Sequence, residues 1–305
     1  MTAGRAGRAG FLVAMAAALA TVTACGGPGG DPSPSSSQGA PKARDGAVAR
    51  TDAISALRVA QKETGGAESA RIEGTMELGA AMSMKQSGVL GWGDGVTGEM
   101  EIVYTGGSMG EALKQSGGDG TVLARYFKEE YYANMGDGFA ANAGGKHWIR
   151  YAYADLAEMG GASGEVMADQ IQNGTPQQGV NALLAAGDVV EVGKEDVRGV
   201  ATTHYSGTVD VTELATTNSD LGEDELAALR KQLSQSGVET ETVDIWVDEN
   251  NLLVKKVERA DTANGEMNST VYYSDYGTEV AAQRPAADDT IDFRTLLKQQ
   301  QGAAS

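Results

Sequence analysis

The sequence predicts an α+β domain in which antiparallel sheet dominates and one sheet face is covered. Three observations predict it. Short segments alternate apolar and polar residues, as in Arg71-Ile72-Glu73-Gly74-Thr75-Met76-Glu77-Leu78, where Ile72, Met76 and Leu78 point one way and the charges the other. Turn residues punctuate these segments at short intervals, with Asn264-Gly265 the sharpest hairpin signal. Helical periodicity is confined to a few runs, of which Ala47–Thr64 and Glu223–Ser234 are the longer.

In chain order, Ile54 and Leu57 share a face of the first helix, alanines fill the rest, and Gly65-Gly66 ends it. After the strand at 71–78, Val89 to Trp92 and Glu99 to Tyr104 read as strands joined through the Gly-rich turn at 93–98. Thr121 to Tyr126 and Tyr131 to Met135 form a hairpin, and Trp148 to Tyr151 is the next strand. Glu165 to Gln172 and Gln177 to Ala186 are expected as short helices, the second opening after Pro176 and ending at Gly187. Val189 to Val192 and Ala201 to Val211 pair around Asp196 to Gly199. In Glu223–Ser234 the residues Leu226, Leu229 and Leu233 make one stripe, stopped at Gly237. Val238 to Val247 and Leu252 to Ala260 make a hairpin turning at Glu249-Asn250-Asn251, and Glu266 to Tyr273 follows. From Arg284 the chain is mostly polar, with Ile291, Phe293, Leu296 and Leu297 able to dock.

The N-terminal stretch sets the expected address. Arg5 and Arg8 precede the apolar run Phe11 to Ala20, which has the size of a secretion-signal core and is too short to span a bilayer. Val22-Thr23-Ala24-Cys25 then reads as a bacterial lipobox, with residues 1–24 as signal peptide and Cys25 acylated at the mature N-terminus. The alternative, an ordinary signal cleaved nearby, would leave an unpaired thiol, since Cys25 is the sole cysteine and no disulfide can form. Residues 25–46, rich in Gly, Pro and Ser, are expected to be a disordered linker reaching roughly 25 Å. A domain at 47–293 and a tail at 294–305 complete the division. Without Arg5 and Arg8 the chain carries 22 basic residues against 42 acidic ones, a formal charge of −20. That balance excludes nucleic acid as a partner and repels anionic headgroups, leaving the acyl anchor as the membrane contact. The chain is expected to act as a monomer and to need no cofactor.

Lys146-His147-Trp148-Ile149-Arg150 after a Tyr-Tyr strand, Val192 to Gly199 leading into Thr202-Thr203-His204-Tyr205, and Asp244-Ile245-Trp246-Val247-Asp248 with its return strand resemble the LolA-like actinobacterial lipoproteins of the LppX/LprAFG kind. The likeness runs from about Ala47 to Tyr276. It implies a strongly curved antiparallel sheet, an unclosed half-barrel, with helices across its concave face. It also implies a cavity for an acylated lipid or lipoglycan. The family has no motif for ligand contact, so the expected lining (Ile72, Met76, Met100, Ile102 and Val243) follows from the alternation of the strands. The other reading is a surface interaction or sensory lipoprotein whose curved sheet is fully packed. The Gly-rich insertion at 106–120 and the Gln/Gly-rich stretch at 170–179 bear on the size of any cavity.

Catalytic and metal chemistry finds little support. Gly106-Gly107-Ser108-Met109-Gly110 matches the G-x-S-x-G elbow of serine hydrolases, which needs a strand, a tight turn and a helix within a parallel sheet, whereas the surroundings here are antiparallel hairpins. Gly93, Gly95 and Gly98 match G-x-G-x-x-G with strands on both sides and no helix N-terminus to receive a phosphate. His147 and His204 are the only imidazoles, neither has a partner at metal-ligand spacing, and His204 is expected on a solvated strand face. Asp248-Glu249-Asn250-Asn251 lacks the glycine and closing Glu of a calcium loop. The nine methionines after Cys25, among them Met76, Met82, Met84 and Met100, suit either an adaptable acyl-chain lining or ordinary core filling.

Overall fold

The computed structural model describes residues 42–303 apart from 116, 161–163, 165–166, 169–170, 173, 187 and 211–236. Twelve strands form one open sheet: β1 (Ser69–Leu78), β2 (Met82–Gly91), β3 (Thr97–Gly106), β4 (Thr121–Phe127), β5 (Glu130–Asn134), β6 (Trp148–Ala152), β7 (Val190–Val197), β8 (Val200–Asp210), β9 (Thr240–Asp248), β10 (Leu253–Thr262), β11 (Gly265–Ser274) and β12 (Thr290–Asp292). Their order is β12-β6-β5-β4-β3-β2-β1-β11-β10-β9-β8-β7. Every pairing is antiparallel except β12 on β6, which is parallel. The sheet does not close: β12 and β7 are its two edges.

Six helices are described: α1 (Lys42–Gly66), α2 (Gly107–Gln115), α3 (Gly136–Ala140), α4 (Tyr153–Gly160), α5 (Pro176–Ala185) and α6 (Phe293–Ala303). Helix α1 buries a narrow stripe, Ala53, Leu57, Ala60 and Thr64, at helical spacing. Leu57 is the large residue of that stripe and the small alanines let the helix lie close to its neighbours; Ile54 is only half-buried. Helix α5 opens at Pro176, as the missing proline N–H allows, and buries Val180, Ala182 and Leu183. The two helices join through Gln61, whose amide donates to Asn181 at 2.5 Å. They cover one face of the sheet, where Leu57, Val180 and Leu183 share a core with Ile72, Tyr205, Val243, Ile245, Val247, Leu253, Val271 and Tyr273. Each fully buried side chain of this size contributes about 1.5–3 kcal/mol, so this core dominates stability.

The opposite face is closed over β9–β11 by the β7–β8 hairpin, which folds back across it. Val197 is buried with Trp246, Val254 and Val257. The next residue, Arg198, sits 3.6 Å over the Tyr272 ring and donates to Glu73 at 2.7 Å. The turn uses Arg198 at φ 54° and Gly199 at φ 87°, the left-handed pair that suits a tight hairpin.

Several elements differ from the sequence expectation. Helix α1 begins at Lys42, so residues 42–46, expected as linker, are helical, and α3 and α4 form where no helix was expected. Strand β2 begins at Met82 rather than Val89, because Met82, Met84 and Gln86 pair across β1 and β3 despite the polar and glycine residues between them. Strand β7 continues to Val197 through an irregularity between Glu191 and Gly193. The Gly-rich insertion holds a nine-residue helix, α2. Of the helix expected at 165–172, residues 167–168 and 171–172 are described and are helical. The expected helix Glu223–Ser234 lies outside the described residues.

The C-terminal segment is held by charge as well as by β12. Glu130, 9% exposed at its side chain, accepts from Arg150 at 2.5 Å, Arg284 at 2.7 Å and the Tyr132 hydroxyl at 2.9 Å. Arg150 also donates to Asp292 at 2.9 Å. Burial alone would push the Glu130 carboxyl up, but the hydrogen bonds from Arg284, Arg150 and Tyr132 hold it below the usual carboxylate range. A carboxylate so depressed contributes stability above its unfolded pKa, and that contribution is lost as pH falls through the folded value. Glu130→Ala is expected to destabilise the protein at pH 7 by on the order of 2 kcal/mol, less than a fully buried pair because both guanidiniums reach solvent. Urea melts of the two proteins should converge in acid, below the folded Glu130 pKa.

Candidate functional site

The register of the first six strands places one row of residues after another on the helix-bearing, concave face. Met76 pairs with Met84 and Met84 with Tyr104. Leu78 pairs with Met82 on one side and Met267 on the other. Gly74, Gln86, Ile102 and Val122 form the next row, and Ile72, Gly88, Met100, Ala124, Ala133 and Ile149 the one after it. Across this face of β1–β6 the register places no charged residue, and Gln86 is the sole polar one besides tyrosines.

All five residues expected to line a cavity lie on this face; Val243 reaches it through Glu258, Ser269 and Met76 in register. They divide into two groups. Ile72, Met100 (3% exposed) and Val243 (0%) are packed into the core beneath α1 and α5. Met76 and Ile102 are half-buried and stand outside that core, as do Met82, Met84, Gln86 and Tyr104. Core filling therefore accounts for Met100 and not for the other three methionines. Met100 lies over Gly88, where a Cβ would come within 2.7 Å of its sulfur.

Beyond the strip, at the β4–β6 end, a second cluster forms on the same face. Tyr131 and Tyr151 stack at 4.5 Å with rings 5° from parallel, Tyr126 stacks on Tyr131 at 5.9 Å, and Phe293 of α6 closes on Tyr151 at 4.8 Å. Tyr153, at the start of α4, stacks on Tyr131 at 6.2 Å and is buried with Leu156. Burial pushes these phenols up, Tyr151 to about 12; Tyr126 is raised further by Tyr104, and Tyr131 by Tyr151, Tyr126, Tyr153 and Tyr104. The half-buried strip thus lies between an aliphatic core under α1 and α5 and an aromatic cluster under α4 and α6. Sequence reasoning missed the tyrosines because Tyr126, Tyr131 and Tyr151 sit on three different strands and Tyr153 on α4, and only the tertiary fold gathers them.

The same face carries one ionic group, on β9 and β10. Lys256 donates to Glu258 at 2.5 Å, and its stem passes under α5, where a Cβ on Gly179 would lie 2.5 Å from it. Burial alone would lower Lys256, but Glu258, Tyr273 and Glu241 outweigh it and raise its pKa. Glu241 has no such support: burial, and then the like charge of Glu258, push its carboxyl up to about 7, with Lys256 opposing.

Ser108 follows β3 and Gly107 (φ 78°) and begins α2, so the strand–turn–helix outline of an elbow is present locally. Its neighbours β2 and β4 are antiparallel, and its hydroxyl donates to the Ala81 carbonyl at 3.3 Å. Both imidazoles are engaged elsewhere. His147 contacts Asp289 at 2.6 Å and Asp137 at 3.2 Å. His204 is not solvated as expected: it is 18% exposed at its side chain, stacked on Trp246 at 4.2 Å and bonded to Asp244 at 2.8 Å. No helix among the described residues is long and apolar enough to cross a membrane, and no described cluster of His, Cys, Asp and Glu could hold a metal ion. A cleft of about 410 Å³ on the outer face, between Arg198, Tyr272, Glu73, Lys85 and Glu101, is lined by charge and is unsuited to a hydrocarbon chain.

An open antiparallel sheet with helices across one face and an uncharged, half-buried strip on it defines the class: an unclosed half-barrel. No protein-family model matches the chain. It is 64% identical over 252 residues to a Streptomyces griseus protein named as an uncharacterized 31.2 kDa protein in the rplA-rplJ intergenic region, covering 83% of each chain. It is 44% identical over 310 residues to a Streptomyces coelicolor protein named "Putative lipoprotein SCO4650", covering 98% of this chain and 99% of that one. Among solved structures it resembles the Mycobacterium tuberculosis lipoprotein LppX at a TM-score of 0.46 and 13% identity, over 76% of this chain and 99% of that one. The chain belongs to the family of these two streptomycete proteins.

Glu241 supplies a test of how dry the concave face is. A carboxyl whose pKa is raised from 4.5 to about 7 on folding favours the folded state less as pH climbs through that window. Glu241→Gln is expected to raise stability at pH 8 by on the order of 1–3 kcal/mol and to make little difference near pH 4.5. Thermal or urea melts at the two pH values check it, and an equal effect at both would show that Glu241 is solvated.

Proposed function

We propose that the protein is a membrane-anchored lipoprotein of the extracytoplasmic face that binds or carries an acylated lipid or lipoglycan. The observation that carries this reading is the half-buried strip of Met76, Met84, Ile102 and Tyr104, which lies on the concave face outside the packed core. A folded protein gains little by leaving such a strip partly open, whereas each CH₂ of an acyl chain buried on it contributes about 0.8 kcal/mol. Thioether side chains are flexible and adapt to chains of varied shape. The name of the Streptomyces coelicolor relative supports the lipoprotein part of the reading. Binding, not catalysis, is the activity proposed: Ser108 has neither a histidine partner nor parallel-sheet surroundings among the described residues.

Two experiments test the parts separately. Cys25→Ala is expected to release the protein from membranes or to leave an uncleaved precursor, because two long acyl chains anchor where none can. Unchanged partitioning on membrane flotation would overturn the anchor. For the ligand, native mass spectrometry of the full chain purified from membranes is expected to show a co-purifying lipid. Met84→Arg, placed on the strip but outside the core, should reduce that species by roughly tenfold or more, since burying a cation beside an acyl chain costs several kcal/mol. A lipid-free mass for wild type would favour a fully packed interaction protein instead.

A further inference from the structure

The tyrosines beside the strip carry an unresolved polar demand. Tyr104, Tyr126, Tyr131, Tyr151 and Tyr153 place phenols on or against the concave face, and none of the five hydroxyls makes a hydrogen bond among the described residues. The Tyr153 hydroxyl is fully buried and has no partner, in a residue only 5% exposed. Elsewhere in this fold Tyr132 donates to Glu130 at 2.9 Å and Tyr276 to the Leu253 carbonyl at 2.6 Å, and among the described phenols the Tyr153 hydroxyl alone is both fully buried and unbonded. Buried polar groups are bonded in the great majority of cases, so the buried, unbonded Tyr153 hydroxyl, beside the half-buried phenols of Tyr126, Tyr131 and Tyr151, marks a place where something else accepts.

The occupant must offer acceptors and no net charge. Phenols donate readily, and their raised pKa values keep them protonated as donors. No Lys or Arg stands on this face of β1–β6 to pair an anion, and Glu130 is close enough to Tyr153 to raise its pKa. On the same face of the neighbouring strands β9 and β10 the one cation is Lys256, already held by Glu258.

Resting on the reading of the strip as an acyl-chain site, we infer that Tyr104, Tyr126, Tyr131 and Tyr153 form a hydrogen-bonding subsite for the uncharged oxygen atoms of an amphiphile, ester carbonyls or sugar oxygens, and that the site selects against phosphate headgroups. Chain and polar part then divide along the concave face, with the chain on the methionines and Ile102, and the oxygens among the phenols.

The test compares three probes with the same acyl chains: dioleoylglycerol, its monogalactosyl derivative and dioleoylphosphatidylglycerol. Each is equilibrated in radiolabelled form with the full chain after removal of co-purifying lipid. Wild type is expected to bind at least one uncharged probe roughly tenfold more tightly than phosphatidylglycerol, the effect of one or two charge-free hydrogen bonds gained and an unpaired anion avoided. Tighter binding of the galactosyl form places the sugar among the phenols, and equal binding of the two places the ester carbonyls there. Tyr153→Phe and Tyr126→Phe, which keep the rings, are each expected to remove most of that preference. Without ligand, Tyr153→Phe should melt no lower than wild type, because its hydroxyl has nothing to lose. Equal affinity for all three probes, unchanged in the Phe variants, would overturn the subsite and leave the acyl site standing. A lower melting temperature for unliganded Tyr153→Phe would also overturn it, by showing a structural partner. Failure of wild type to bind any probe would overturn the acyl site itself.

Discussion

The register of the sheet is the constraint on which the rest of the structure depends. Side chains alternate across a strand, so a one-residue slip between any two strands would carry an entire row to the other face. From β1 to β6 the rows agree: every position on the concave side is apolar, glycine, Gln86 or tyrosine. The charges of the same strands (Arg71, Glu73, Glu77, Lys85, Glu99, Glu101, Arg125) are all on the outer side. Such a division pins the pairing more firmly than any turn could. It also leaves a wide apolar face to be covered. Helices α1 and α5 cover the part toward β7–β11, and α4 with Phe293 covers the part toward β6. Among the described helices these pairs stand over the two ends of the face, with α2 against β2 and β3 between them.

Charge is admitted to the interior only where a partner is fixed by neighbouring strands. Glu130 is surrounded by Arg150, Arg284 and Tyr132, and Asp244 by His204 and Arg259. Burial opposes ionisation of both, and in both the hydrogen bonds win. Glu241 shows the other outcome, where burial and a like charge prevail over Lys256. The difference is geometric: Glu130 and Asp244 each accept from at least two side chains on adjacent strands or segments, while Glu258 takes the ammonium that Glu241 would need.

Much of this fold was legible in the sequence because hairpins announce themselves locally. Asn264-Gly265 and Arg198-Gly199 turn where the alternation stops, and both glycines take left-handed φ values. Gly65-Gly66 ends α1 and Pro176 begins α5, each for a reason carried by one residue. What was not legible depends on partners far away in sequence. The first half of β2, Met-Ser-Met-Lys-Gln-Ser-Gly, has weak strand composition and forms because β1 and β3 supply ladders on both sides. Helix α2 has three glycines within or beside it and is held by Ala80 and Ala81 carbonyls that accept from Ser108 and Met109. For the candidate site, the alternation rule put Ile72, Met76, Met100, Ile102 and Val243 on one face, and the register places them together on the helix-bearing side. It could not tell which of them the helices would bury, because that depends on where α1 and α5 land.

The strip and the tyrosine cluster also explain why an acidic protein can keep an apolar surface partly open. The formal charge of −18 is carried by outer strand faces, loops and helix surfaces, and copies of the chain repel one another. Edge β7, which exposes Val190 and Val192, is interrupted by its irregularity near Gly193 and flanked by Glu191, Lys194 and Glu195, devices that discourage strand pairing between molecules. Association through sheet edges is thus opposed twice, by charge and by shape. The concave strip has no charge to defend it, and its side chains are half-buried rather than open. On the proposed reading, a site that admits a thin apolar chain, and meets it with thioethers at one end and phenols at the other, would discriminate by shape first and by hydrogen bonding second.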